Sequence, residues 1–202
     1  SVAKRACYPG MFDPIHNGHL DLIERSLRIF DELIVAVVAN PAKEPLFTVK
    51  ERLELIDEAT HGLSRMRITS FDGLLIDLVH REGADCIVRG IRAVSDFEYE
   101  FQMALMNRKL RNTVETVFMM PHERYPYISS RLIKEVALLG APVAGLVPPV
   151  GLVIPVAGRA RGAVFLGGRP APAQAAGVLL VFAGLAVNVY GPRLRGWLSR
   201  HA

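Results

Sequence analysis

Half of this 202-residue chain is apolar and 22% is charged, which suits one well-buried domain with an appendage and excludes a disordered or collagen-like chain. The formal net charge of +4 is unevenly spread: residues 151–202 hold six arginines and no lysine or acidic residue, leaving 18 basic against 20 acidic groups in the first 150. A slightly acidic main domain lacks the basic footprint of a nucleic-acid binder, so no nucleic-acid partner is expected.

The two cysteines, Cys7 and Cys86, lie in apolar strand-like runs and read as buried thiols of a reducing compartment, without a disulfide framework. The first residues, Ser1-Val2-Ala3-Lys4-Arg5, contain no apolar core of a signal peptide and lead straight into a strand.

That first strand begins at Ala6-Cys7-Tyr8. Residues 9–19 then form a glycine-containing turn into an amphipathic helix marked by Leu20, Leu22, Ile23, Leu27, Ile29 and Phe30. The turn ends in His16-Asn17-Gly18-His19, two imidazoles three residues apart at the helix start. Residues so spaced share a helix face. The unpaired N–H groups and positive dipole end there favour an anion, and Gly18 would let a ligand approach the backbone. The pattern reads as a phosphate site.

Residues 32–38 follow as a continuous, β-branched strand of the kind buried on both faces. Thr48-Val49-Lys50-Glu51 is a capping box opening a helix with Leu53, Leu55 and Ile56. A third strand spans 66–71, a helix 75–81 and a fourth strand 86–89. A longer helix over 95–110 is expected to bury an apolar stripe of Phe97, Phe101, Ala104 and Leu105. A fifth strand covers 114–119, and the helix over 130–139 is stopped by Gly140. Regular β-α alternation predicts a Rossmann-like, doubly wound, five-stranded parallel sheet with helices on both faces, and a ligand site beyond the carboxyl ends of the strands.

The character changes at Pro148-Pro149, dividing the chain into a domain over residues 1–150 and an apolar, arginine-containing extension over 151–202. Its apolar run, residues 175–190, is shorter than the roughly 20 residues of a spanning helix, near the lower limit. The arginines and Trp197 that follow suit a cytoplasmic interface, so a membrane contact by the tail is an expectation.

The motifs carry a resemblance. Gly10-Met11-Phe12-Asp13-Pro14 with His16-Asn17-Gly18-His19 resembles the signature of the HxGH nucleotidyltransferases. Residues 40–47, 71–75 and 106–108, the run Arg89-Gly90-Ile91-Arg92-Ala93-Val94-Ser95-Asp96-Phe97-Glu98-Tyr99-Glu100, then residues 115–118 and Ile128-Ser129-Ser130, resemble bacterial phosphopantetheine adenylyltransferase over residues 4–149. The second half of the extension resembles the last helix of an EamA-type transporter.

The resemblance implies transfer of the adenylyl group of ATP to 4′-phosphopantetheine, giving dephospho-coenzyme A and pyrophosphate in coenzyme A biosynthesis. It also implies magnesium brought with ATP, a homohexamer and a cytoplasmic enzyme. No side chains show metal-ligand spacing, so no protein metal site is expected. A related transferase with another nucleotide or acceptor, and a weakly active or non-catalytic nucleotide-binding module tethered by its tail, stay open beside it.

The attacking phosphate oxygen is already ionised, so positioning and charge neutralisation can supply the catalysis. By resemblance His19, Lys43 and Arg92 form the catalytic set, with His19 stabilising the α-phosphate. ATP binding falls to Met11, Phe12, His16, His19, Gly90, Ile91, Arg92, Glu100, Tyr125, Ile128, Ser129, Ser130 and Arg131. The pantetheine substrate falls to Met11, Lys43, Leu75 and Arg89.

Each residue also has a plainer reading. His19 could be a capping or core histidine, His16 a neutral surface residue, and Lys43 a solvated loop lysine. Arg89 and Arg92 could pair with Asp96 or Glu98, since an arginine ending an apolar strand must find an anion. Glu100 could be solvated surface, Leu75 core, and Ser129 and Ser130 an N-cap. Met11 and His16 stand where this family usually has Thr, Arg131 replaces a Ser, and Pro126 interrupts Tyr125-Pro126-Tyr127. These departures are expected to weaken the chemistry without abolishing it.

Overall fold

The computed structural model describes residues 4–39, 45–139, 141–150, 153–155 and 163–165. Five strands, β1 (Arg5–Gly10), β2 (Glu32–Val38), β3 (Met66–Phe71), β4 (Cys86–Gly90) and β5 (Glu115–Met119), pair in parallel in the order β3-β2-β1-β4-β5. Between and after them run α1 (Asn17–Ile29), α2 (Val49–Ala59), α3 (Leu75–Arg81), α4 (Val94–Leu110) and α5 (Ser130–Leu138). The Rossmann-like sheet expected from the β-α alternation is the observed one.

Side chains of a strand alternate between faces, and the core divides accordingly. Ala6, Tyr8, Leu33, Val35, Val37 and Val88 join one apolar cluster with Leu22, Ile23 and Leu27 of α1, Leu55 and Ile56 of α2, and Ile133 and Ala137 of α5. Cys7, Ala36 and Ile87 face the other way and pack with Ile76, Leu78 and Val79 of α3. Right-handed crossovers account for the two faces: strand order runs outward from β1 to β3, then jumps back to β4 and reverses. The reversal lies between β1 and β4, where a doubly wound sheet opens to a ligand.

The local signals behave as read. Thr48 accepts from the Glu51 N–H at 3.3 Å while Glu51 accepts from the Thr48 N–H at 2.8 Å, so the capping box holds the start of α2.

The stripe expected on the long helix is a correction. Phe97, Phe101 and Leu105 are 45–50% exposed, and Ala104 is half-buried. α4 meets the domain largely through polar groups, with Asn107 buried and Asp96 and Glu100 paired to arginines of the β4 end, beside one edge-on contact of Phe97 with Phe118 of β5 at 5.9 Å. Ion pairing at the site, rather than apolar burial, decides how this helix is rotated.

Val143, Val147 and Val150 also belong to the larger apolar cluster. Beyond them, β6 (Val153–Pro155) and β7 (Ala163–Phe165) pair antiparallel, two strands that periodicity had not suggested. Gly140, the stop expected for the last helix, and the apolar run over 175–190, with its transporter resemblance and expected membrane contact, lie outside the described residues, as does Lys43. Among the described residues no helix is long and apolar enough to cross a membrane.

Among the described residues Val150 is the last of the larger apolar cluster, so a chain ending at Pro149 would leave part of that cluster open. A chain cut after Val150 is expected to unfold in a single thermal transition within a few degrees of the full chain. A loss of cooperative melting on that cut would show that residues 151–202 complete the fold.

Candidate active site

The strands part at the reversal. β1 and β4 pair only through Ala6 with Cys86 and Cys7 with Ile87. Past that point Pro9 has no N–H to offer a neighbour, and its carbonyl accepts from Arg89 Nη1 at 2.9 Å instead of from a strand backbone. A cleft of about 540 Å³ opens there, walled by the ends of β1 and β4, the start of α1, one side of α4 and the start of α5.

The turn from β1 into α1 is packed on aromatic rings. Phe12 takes a left-handed φ of 48° and its ring is buried. That ring meets Tyr8 edge-on at 5.4 Å and His19 at 4.9 Å. A Cβ on Gly10 would stand 2.9 Å from the Phe12 ring, so glycine is what lets this ring fold back.

His16 and His19 stack, with ring centres 3.6 Å apart. They form a reciprocal cap of α1 from imidazoles: His16 Nδ1 accepts from the His19 N–H at 3.3 Å, and His19 Nδ1 accepts from the His16 N–H at 3.2 Å. Both Nδ1 atoms being acceptors, each proton sits on Nε2. Gly18 leaves room for this stack, since a Cβ there would be 3.1 Å from the His16 ring.

Electrostatics keep the pair neutral. Burial, with Arg92 adding to it, pushes His16 down to about 3. Burial, then His16, Arg92 and Arg89, hold His19 well below its ordinary range. The site therefore offers two neutral Nε2–H donors, and its positive charge comes from arginine.

Arg89 forms a bidentate pair with Glu100 as well as holding Pro9. Burial opposes its charge, but the Glu100 carboxylate outweighs that and raises its pKa. Arg92 pairs with Asp96 through Nε at 3.0 Å and Nη2 at 3.3 Å, and donates to the Ile128 carbonyl at 3.3 Å. Glu98, the other partner weighed from sequence, is exposed. At the start of α5, Ser129 accepts from the Leu132 N–H at 3.2 Å and keeps its own proton to give. Ser130 gives its proton to the Pro14 carbonyl at 2.9 Å. Ser129 is thus the donor of the two, where sequence suggested both. Arg131, 88% exposed along its side chain, pairs with Glu135 at the rim.

Of the residues singled out from sequence, Met11, His16, His19, Arg89, Gly90, Arg92, Glu100, Tyr125, Ile128, Ser129, Ser130 and Arg131 line one cleft. Phe12 and Ile91 are buried beside it. Leu75 does not line it; it packs against the cluster of Cys7, Phe71 and Ile76. Tyr8, Tyr99 and Leu22 line the cleft without having been foreseen, for they look like ordinary strand and helix residues. Asp96 was foreseen only as a salt-bridge partner, and its spacing of four from Arg92 was the signal.

A cytidylyltransferase-like family model matches residues 7–136. The phosphopantetheine adenylyltransferase of Syntrophus aciditrophicus is 56% identical over 149 residues, covering 74% of this chain and 90% of that protein. This chain belongs to the phosphopantetheine adenylyltransferase family. The enzyme of the same name from Geobacter sulfurreducens is 55% identical over 147 residues, 73% of this chain and 90% of its own. The crystal structure of a putative nicotinate-nucleotide adenylyltransferase from Vibrio parahaemolyticus superposes with a TM-score of 0.56 at 20% identity, over 73% of this chain and 95% of that one, a likeness of fold. Both phosphopantetheine adenylyltransferase matches leave about a quarter of this chain uncovered.

Neutral histidines make the ligand-free protein acid-sensitive. The unfolded chain takes up protons on them below about pH 6.5, whereas the folded chain holds His16 unprotonated down to about 3. Stability present above pH 6.5 is lost as pH falls below it, by up to about 1.4 kcal/mol per pH unit for each histidine. His16→Asn, which keeps a capping acceptor, is expected to flatten the decline of urea-unfolding free energy between pH 6.5 and 4.5 by roughly that amount. An unchanged slope would contradict the depressed histidine.

Proposed function

We propose a division of labour among the cleft residues for the reaction of this family, which the chain carries out. A phosphate oxygen of 4′-phosphopantetheine attacks the α-phosphorus of ATP, the α–β bridging bond breaks, and pyrophosphate leaves with its electrons as dephospho-coenzyme A forms. The observation that carries this reading is the His19 Nε2–H donor set between two arginines at the parting of β1 and β4. A neutral donor suits the α-phosphate, whose charge is spread in the transition state, because it gains hydrogen-bond strength without drawing a proton out. His16 supplies a second such donor where a hydroxyl is usual.

Arg89 takes the pantetheine phosphate and Arg92 the phosphates of ATP, each exchanging part of its α4 carboxylate contact for the incoming anion. Glu100 then acts on ATP only after yielding on Arg89. Ser129 gives its proton to the triphosphate, Gly90, Ile91, Phe12, Tyr125 and Ile128 frame the nucleotide, and Lys43 supplies a positive charge to the phosphates. Met11 flanks both without a hydroxyl, Arg131 guards the rim, and Leu75 meets the pantetheine arm from beyond the cleft.

Magnesium brought with ATP would be held by phosphate oxygens and water and would supply charge neutralisation at the phosphates. The cleft carboxylates Asp96 and Glu100 are committed to arginines, which fits an ion held by the triphosphate itself. The exposed apolar side chains of α4 support a homohexamer, whose subunit contacts would cover them. The two buried free thiols suit the cytoplasm. The test of the whole reading is pyrophosphate release on mixing the protein with ATP and 4′-phosphopantetheine, absent with CTP or without acceptor; ATP binding with no release would leave a non-catalytic module.

His19→Ala is expected to lower kcat by about 10²–10³-fold while ATP affinity changes far less. Near-normal turnover would remove His19 from the mechanism. Arg89→Ala should chiefly weaken 4′-phosphopantetheine and Arg92→Ala chiefly ATP, each by about 1.5–3 kcal/mol in calorimetric titration. Equal loss of both ligands in both variants would contradict the division.

A further inference from the structure

Beneath the cleft lies a buried ionic group that none of these roles uses. Asp13 is 2% exposed and does not line the cavity. Its Oδ1 accepts from the Phe47 N–H at 2.9 Å, and its Oδ2 accepts from the Leu46 N–H at 3.0 Å and from Lys134 Nζ at 2.6 Å. One carboxylate therefore joins three separate stretches of chain: the turn that carries His16 and His19, the segment leading into α2, and helix α5, whose start carries Ser129.

Its neighbours are held in the same manner. Arg52, 1% exposed, donates Nη1 to the Met11 carbonyl at 2.9 Å and to the Val38 carbonyl at 3.0 Å. Ser130 reaches back to the Pro14 carbonyl. The turn is thus gripped from outside through the Met11 and Pro14 carbonyls and the Asp13 carboxylate, immediately before the stacked histidines.

Lys134 keeps 27% of its side chain exposed, so the pair is half-buried, and such a pair is a weak source of stability, since apolar residues of similar volume often do as well or better. What it imposes is direction: each oxygen of a carboxylate, and an ammonium facing it, fix distances that apolar packing leaves adjustable. The geometry points to Asp13, together with Lys134, as a positioning residue pair for adenylyl transfer, setting the histidine turn against the start of α5. Neither touches the reacting atoms. The histidine donors and Ser129 belong to different elements, and a misplacement of about 1 Å between catalytic groups can cost on the order of 10²-fold in rate.

The inference rests on the adenylyl-transfer reading, and the unaltered full chain serves as its control. In steady-state assays of pyrophosphate release, Lys134→Met is expected to lower kcat at least about tenfold, with KM for ATP and for 4′-phosphopantetheine changed less than about threefold. Lys134→Arg, which restores the charge, should recover most of the turnover. Asp13→Asn should show the same split, and the double variant Asp13→Asn/Lys134→Met should be no slower than Asp13→Asn alone, because the two act as one unit.

A Lys134→Met protein with full kcat would overturn the proposal, whether or not Asp13→Asn folds. So would a raised KM at unchanged kcat, which would make the pair part of ligand binding, or failure of Lys134→Arg to rescue. An unaltered chain that releases no pyrophosphate would sink the reaction itself, a result distinct from these.

Discussion

Everything at this site depends on β1 and β4 ceasing to pair after Cys7 and Ile87. A proline at position 9 has no proton for the adjoining strand, and its carbonyl goes to the Arg89 guanidinium. Strand order reverses at the same place, so the sheet cannot heal across the gap. The cleft is therefore a consequence of topology and of one missing backbone donor. Arg89 closes the backbone account that the parting leaves open, and in doing so presents a cation at the cleft floor.

Charge in the cleft is divided between two kinds of group. The histidines sit among Tyr8, Phe12 and each other, where burial keeps them neutral and the reciprocal cap fixes both protons on Nε2. The arginines carry the positive charge, and α4 brings each a carboxylate partner. Directional donors and point-like charges are thus set by separate physical means, and one can change without the other.

Helix α4 serves the site at the expense of its own burial. Asp96 and Glu100 turn its polar side toward the arginines, which leaves Phe97, Phe101 and Leu105 on the outside. Apolar surface of that extent on one helix is costly in water, and association of copies of the chain would relieve it.

Much of this was legible in the linear chain. The continuous apolar runs of the strands, the capping box at Thr48 and the glycine-bounded turn before His16 are local, so they could be read one residue after another, and the order β-α-β sufficed to place the ligand at the strand ends. Most of the cleft residues were named by motif for the same reason: Arg89 to Arg92, or His16 to His19, are close in sequence. What the sequence could not settle was rotation and partnership across the fold. Whether α4 buries its aromatics or its acids, whether Arg89 takes Glu98 or Glu100, and that Asp13 meets Lys134 across 121 positions of chain depend on which elements the closed sheet brings side by side. A pairing of that kind carries no local signal, because buried charge is satisfied by whichever partner the tertiary structure delivers.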